Sequence, residues 1–205
     1  MVFTYKIIKN AISKEQASFI YNYFLLKREA VRFLYDKKFL KEKETLYMFG
    51  TWDDPQVPNV YSQYGDFVME TLLKQMLPIM KKKSKLDLIP TYSYARIYEK
   101  GAILKKHIDR SSCEISTTLN LGGDPWSIYL KVKTKEIEIK LSPGDMLIYS
   151  GCTLDHWRKK FEGKICAQVF LHYIKKNGKY DGIDNLDNRP LLGLPHPARI
   201  SLDLI

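Results

Sequence analysis

The feature that most constrains the fold is a change of hydrophobic period near Ile89. Before it, apolar residues recur every three or four positions. After it they alternate every second position, as in half-buried strands. Ser13-Lys14-Glu15-Gln16 fits a capping box, with Ser13 as N-cap and Gln16 reaching back, and it opens a first helix. Phe19, Ile20, Tyr23, Phe24, Val31 and Leu34 supply the apolar face of that helix. A second helix is expected from Gly65-Asp66, with Phe67, Leu72, Leu73, Met76 and Met80 inward and Pro78 as a kink. Lys81-Lys82-Lys83 closes it, where cations suit the helix dipole. The turn-rich stretch from Met48 to Pro58 reads as a loop, either a lid over a site or a structural surface loop.

From Pro90 to Tyr98 the residues Tyr92, Tyr94, Arg96 and Tyr98 share one face. Further strands are expected at 114–121, 127–133, 136–141, 145–149 and 164–174, with turns at Lys133 to Glu136 and at Ser142-Pro143-Gly144-Asp145. Helices followed by many short strands imply an α+β chain, mainly β, built as a sandwich or barrel. The 205 residues read as one domain, with a helical support over 1–88, a β core over 89–175 and an irregular tail over 176–205.

Composition excludes several classes. No apolar run is long enough to span a bilayer. The first residues lack the apolar stretch and cleavage site of a signal peptide, so the chain reads as cytoplasmic. Three widely spaced cysteines, Cys113, Cys152 and Cys166, argue against a disulfide scaffold or a structural zinc site. Lys and Arg number 33 and Asp and Glu 23, giving a net charge of +10, but the excess is spread along the chain rather than gathered into a patch. Nucleic acid is therefore a possible partner that the charge does not favour, and no membrane partner is implied.

There are only four histidines: His107, His156, His172 and His196. His107-Ile108-Asp109 places an imidazole and a carboxylate on the same side of an extended segment. His156 follows a strand ending at Tyr149-Ser150-Gly151. Two imidazoles and one carboxylate leave coordination positions open, the donor set of non-haem Fe(II) centres. Eight residues on, Lys164 opens an alternating face with Cys166, Gln168, Phe170 and His172. A lysine pointing into a barrel needs an anion, and the distal carboxylate of a bound dicarboxylic acid would supply one. Arg158 is a rival anchor, expected instead on substrate or surface carboxylates.

This ordered set resembles the 2-oxoglutarate/Fe(II)-dependent dioxygenases, in particular their prolyl 4-hydroxylase-like branch, over residues 90–175. The residues that carry it are Tyr98, Gly101, His107-x-Asp109, the strand from Glu114 to Leu121, Pro143-Gly144-Asp145 leading to Tyr149, then His156, Lys164 and His172. The resemblance implies a double-stranded β-helix, of jelly-roll or cupin-like form, with the N-terminal helices packed on one sheet. It implies Fe(II), 2-oxoglutarate as co-substrate, O₂, and ascorbate as a reductant. The activity implied is hydroxylation of an unactivated C–H bond coupled to decarboxylation of 2-oxoglutarate to succinate and CO₂. His107, Asp109 and His156 would hold the metal. Tyr98, Lys164 and Thr118 would hold the co-substrate, with His172 beside it, and Arg96, Arg158 and Trp126 are candidates on the substrate side.

A prolyl, amino-acid or peptidyl substrate is the expectation from the branch. Two departures weaken the prolyl assignment: Cys166 stands where relatives have Ser or Thr, and Leu104 where prolyl hydroxylases often have an aromatic residue. The alternatives are a nucleic-acid demethylase of the same superfamily, a non-catalytic cupin-like metal module, and a basic nucleic-acid-binding protein with a structural histidine cluster.

Overall fold

The computed structural model describes residues 3–40 and 48–196. The chain order is β1 (Tyr5–Ile8), α1 (Lys14–Asp36), β2 (Tyr61–Tyr64), α2 (Phe67–Ser84), β3 (Leu88–Glu99), β4 (Leu104–His107), β5 (Ile115–Gly123), β6 (Ile128–Val132), β7 (Lys135–Ile139), β8 (Met146–Tyr149), β9 (His156–Arg158) and β10 (Ile165–Lys175). A short 3₁₀ turn occupies Ser111–Cys113, and Asn185–Asn188 is a tight turn with Leu186 and Asp187 in the left-handed region.

Both helix starts follow from capping chemistry. The Ser13 side chain accepts from the Gln16 backbone N–H at 3.1 Å. The reciprocal half of the capping box does not form, because the Gln16 amide donates across to Gln75 instead. Asp66 caps α2 by accepting from the N–H groups of Val68 and Met69. Its other oxygen pairs with Lys27 and Tyr23 of α1, which ties the two helices together. Helix α2 runs unbroken through Pro78 and ends with Lys85 in the left-handed region, behind the three lysines of its last turn.

The strands form two antiparallel sheets. The larger has the order β1-β8-β5-β10-β3-β2 and the smaller β4-β9-β6-β7. Strand alternation then divides the core into two layers. Ala167, Val169, Leu171 and Tyr173 of β10 pack with Ala95, Ile97, Leu119, Met146 and Ile148 against Phe24, Leu73 and Met76 of the helices. On the other face Leu147 and Tyr149 meet Ile128, Leu130 and Ile139 of the smaller sheet. This is the double-stranded β-helix expected from the sequence, with both helices on the larger sheet.

Four strands were not legible in the periodicity. Strands β1 and β2 lie inside the stretch expected to be helical, and each forms an edge of the larger sheet. Strands β4 and β9 are too short to alternate visibly, yet they carry both site histidines. Two expected core aromatics are exposed. Phe19 is 70% exposed because the buried positions of α1 are Ala17, Ile20, Phe24 and Val31, which puts residue 19 on the far face. Phe67 is the first residue of α2, and it lies against Gly193 of the tail rather than in the core. Among the described residues no helix is long and apolar enough to cross a membrane.

Candidate metal centre and co-substrate pocket

His107 ends β4 and His156 begins β9, and the two are register partners across the smaller sheet. Their rings therefore lie side by side, 4.2 Å between centroids. Each Nδ1 lies within hydrogen-bond distance of a backbone carbonyl two residues earlier, Lys105 at 2.8 Å and Leu154 at 2.9 Å. With Nδ1–H donating to those carbonyls, both Nε2 lone pairs point at the same centre. Asp109 Oδ1 completes it, 3.6 Å from His107 Nε2 and 3.4 Å from His156 Nε2. These three residues can together hold a metal ion.

The carboxylate is positioned on all sides. The backbone N–H of Asp109 donates to the Gly151 carbonyl at 2.9 Å. Its Oδ2 accepts from Ser116 Oγ at 2.8 Å. A Cβ at Gly151 would stand 2.5 Å from both of those side-chain oxygens, so only glycine fits there. Burial alone would raise the Asp109 carboxyl, but the imidazoles of His107 and His156 beside it hold it far below the usual carboxylate range. That favours the ionised form a metal ligand needs. Burial would lower His107, yet its contact with Asp109 raises it above the ordinary imidazole range.

His172 stands behind this carboxylate. Its Nδ1 is 3.0 Å from Ser116 Oγ, and its ring packs at a tilt against Tyr92, 4.5 Å between centroids. It is thus one hydrogen bond removed from Asp109, beside the centre rather than in it. Burial lowers its pKa to about 4. The unfolded chain binds this proton near 6.5 and the folded protein only near 4, so stability falls as pH drops through that window. Calorimetry of the metal-free protein should show Tm decreasing from pH 6.5 to 4, with a shallower slope in His172→Gln. Equal slopes would show that His172 does not carry the effect.

A cavity of about 140 Å³ opens over the three ligand side chains, lined also by Tyr92, Tyr149, Phe170 and Gln56. Gln56 and His107 are shared with a groove of about 630 Å³ that runs between Pro55–Val60 and Glu99–Ile103. The segment expected to be either a lid or a surface loop is therefore one wall of this groove. Asp54 holds it there, accepting from Arg96 Nε at 2.8 Å and Nη2 at 2.5 Å and from Tyr94 at 2.8 Å. Arg96, read from the sequence as a substrate contact, is engaged with this loop and with Gln56.

Beyond the imidazoles lies a buried cation. Arg158, on β9 two residues after His156, is 1% exposed. Its Nη1 donates to the Trp126 carbonyl at 2.6 Å and its Nη2 to Thr118 Oγ1 at 3.1 Å, while Nε has no partner. Among the described residues it makes no ion pair, and burial drives its pKa down. Tyr98 is fully buried, edge-on to Trp126 at 4.7 Å. Thr118 donates onward to Gln168 at 3.0 Å. Tyr98, Thr118, Trp126 and Arg158 thus form one group around the guanidinium.

Lys164 does not join them. Its side chain is exposed, and it precedes the first residue of β10, where only its backbone N–H is fixed, by Asp124. The alternation that predicted an inward lysine holds for Cys166, Gln168, Phe170 and His172, but at 164 the chain is still leaving the turn. Arg158 is instead the buried cation without an ion pair among the described residues, Arg96 being paired with Asp54. Sequence reasoning also passed over Ser116, Gly151, Tyr149 and Asp54. Ser116, Thr118 and Asn120 do form a polar stripe through apolar β5, and that was a readable sign of a lined interior.

The architecture is similar to that of solved 2-oxoglutarate/Fe(II) oxygenases. A prolyl-4-hydroxylase from Pseudomonas putida superposes with a TM-score of 0.59 at 11% identity, over 85% of this chain and 94% of that one. A viral collagen prolyl hydroxylase from Paramecium Bursaria Chlorella virus-1, in its 2OG complex, gives 0.56 at 12% identity, over 83% and 95%. The non-heme alpha-ketoglutarate-dependent epimerase SnoN from nogalamycin biosynthesis gives 0.62 at 10% identity, over 94% and 90%. No protein-family model matches the sequence. No curated protein matches it either.

Proposed function

We propose that this protein is a 2-oxoglutarate- and Fe(II)-dependent oxygenase that hydroxylates an unactivated C–H bond. The observation that carries the reading is a pair of features in one barrel: a two-histidine, one-carboxylate centre and, deeper in, an arginine without a counter-charge. A buried guanidinium lacking an anion is costly. A dicarboxylic acid bound with one end at the metal and the other toward the barrel interior supplies the missing charge.

His107, Asp109 and His156 would hold Fe(II), which supplies the redox chemistry needed to activate O₂. Arg158 would bind the distal carboxylate of 2-oxoglutarate, assisted by the hydroxyls of Thr118 and Tyr98. Trp126 covers the guanidinium with its ring, 5.0 Å from it, and fixes it through its own carbonyl. Ser116 and His172 would keep the Asp109 carboxylate oriented. Tyr92, Tyr149 and Phe170 wall the centre and limit water around it.

The groove between Pro55–Val60 and Glu99–Ile103 would receive the substrate. It opens on His107, and its volume of about 630 Å³ has room for an amino-acid residue of a peptide chain. Peptidyl or amino-acid substrates, prolyl among them, are therefore the class we favour. The protein incubated aerobically with Fe(II) and 2-oxoglutarate should form succinate above the protein-free rate, and a prolyl peptide should accelerate it. Absence of succinate with iron bound would leave a metal-binding module as the better reading.

A further inference from the structure

The tail after β10 crosses back against α2, the start of β3 and the loop after β4, and is pinned there by one buried ion pair and by a second whose carboxylate is buried and whose arginine is half exposed. Arg189 pairs with Glu70 of α2 and also donates to the Thr91 carbonyl. Two residues earlier, Asp187 is completely buried. Both of its oxygens are taken by Arg110, each at 2.6 Å, and Oδ2 also accepts from Tyr64 at 2.6 Å. Leu186, Asp187 and Asn188 are three consecutive non-glycine residues with positive φ, at 50°, 55° and 61°. That backbone is unfavourable for L-residues and persists only where contacts over-determine it.

What Asp187 holds is the loop that carries the metal carboxylate. Arg110 directly follows Asp109. Its guanidinium lies 4.6 Å over the Tyr92 ring, Tyr92 packs at a tilt on His172, and His172 and Asp109 share Ser116. Asp187 thus reaches Asp109 by two routes, through the backbone of Arg110 and through these ring contacts. We infer that Asp187 is a positioning residue for the metal centre, and that the C-terminal strap is a working part of the site rather than a cover over the core. The inference rests on the metal reading given above.

The test is Co(II) affinity, followed through the visible d–d bands of the full chain, together with Tm of the metal-free protein. Asp187→Asn keeps the shape but leaves Arg110 without its counter-charge, and Co(II) affinity should fall about 10–100-fold, the usual effect of losing an outer partner of a ligand. Arg110→Gln should produce a similar loss, and the double variant should lose little more than either single one. Tyr173→Phe removes a buried hydrogen bond to Leu73 on the helical side of the sheet, remote from the strap. It should lower Tm without changing Co(II) affinity, separating stability from positioning. Unchanged affinity in both Asp187→Asn and Arg110→Gln, with the wild type binding Co(II) through His107, would overturn the inference and leave the metal reading standing. Failure of the wild type to bind Co(II), or binding indifferent to His107→Ala, would remove the metal reading and this inference with it.

Discussion

Replacing Asp109 by alanine should abolish both iron retention and turnover while the fold survives. Asp109 is the one carboxylate facing the two Nε2 atoms, at 3.6 and 3.4 Å. Among the described residues it is the one carboxylate at the centre, and without it two imidazoles remain. The loss in Fe(II) affinity should exceed the roughly 100-fold upper end seen when an outer partner is removed. His107→Ala and His156→Ala should behave alike, since the three ligands act as a unit. Equilibrium dialysis with Fe(II) under anaerobic conditions and a succinate assay check this. Near-wild-type turnover in any of the three would contradict the ligand assignment.

The second large effect falls on Arg158. Arg158→Met should raise the 2-oxoglutarate concentration needed for half-maximal turnover by about 100-fold or more, because removing one partner of a buried charge pair costs about 3–5 kcal/mol. Iron binding should stay intact. In the metal-free protein the same substitution should raise Tm, because it removes a desolvated cation that has no counter-ion and an unpartnered Nε. A gain in stability with a loss of co-substrate binding is a signature that a purely structural arginine cannot give. Lys164→Ala should change neither quantity by more than about twofold, as expected for an exposed side chain away from special features. The reverse pattern, with Lys164→Ala raising the requirement and Arg158→Met leaving it alone, would return the anchor to Lys164.

This arginine marks the boundary of what the sequence could show. The period change at residue 89 was enough to predict helices followed by a sandwich or barrel of strands, and the ordered set from Tyr98 to His172 carried the resemblance that implied His107, Asp109 and His156 as metal ligands. Periodicity and the order of residues both survive in one dimension. The choice between Lys164 and Arg158 depends on where a strand begins. Period-two alternation cannot be extended backward through a turn, so one residue before β10 decided whether a lysine faced the interior or solvent. Strand β9 has only three residues, too few to reveal that His156 and Arg158 share an inward face.

Other contacts lie far apart in the chain. Asp54 with Arg96, Asp187 with Arg110 and Glu70 with Arg189 are separated by 42, 77 and 119 residues, and no spacing rule connects them. The tail was read as irregular, with no role assigned to it. The role inferred for it above comes from where Asp187, its most deeply buried described carboxylate, lands. The same holds for the loop from Met48 to Pro58, whose aromatic and turn-forming residues predicted a loop but not that Asp54 would fix it as a groove wall.

The most direct test of the central claim is an anaerobic titration of the metal-free protein with Fe(II) and then 2-oxoglutarate, watching for the visible metal-to-ligand charge-transfer band. The reading predicts a band that saturates with 2-oxoglutarate, is lost in Asp109→Ala, and needs far more 2-oxoglutarate in Arg158→Met. Iron bound through the three ligands with no band at any 2-oxoglutarate concentration would contradict it.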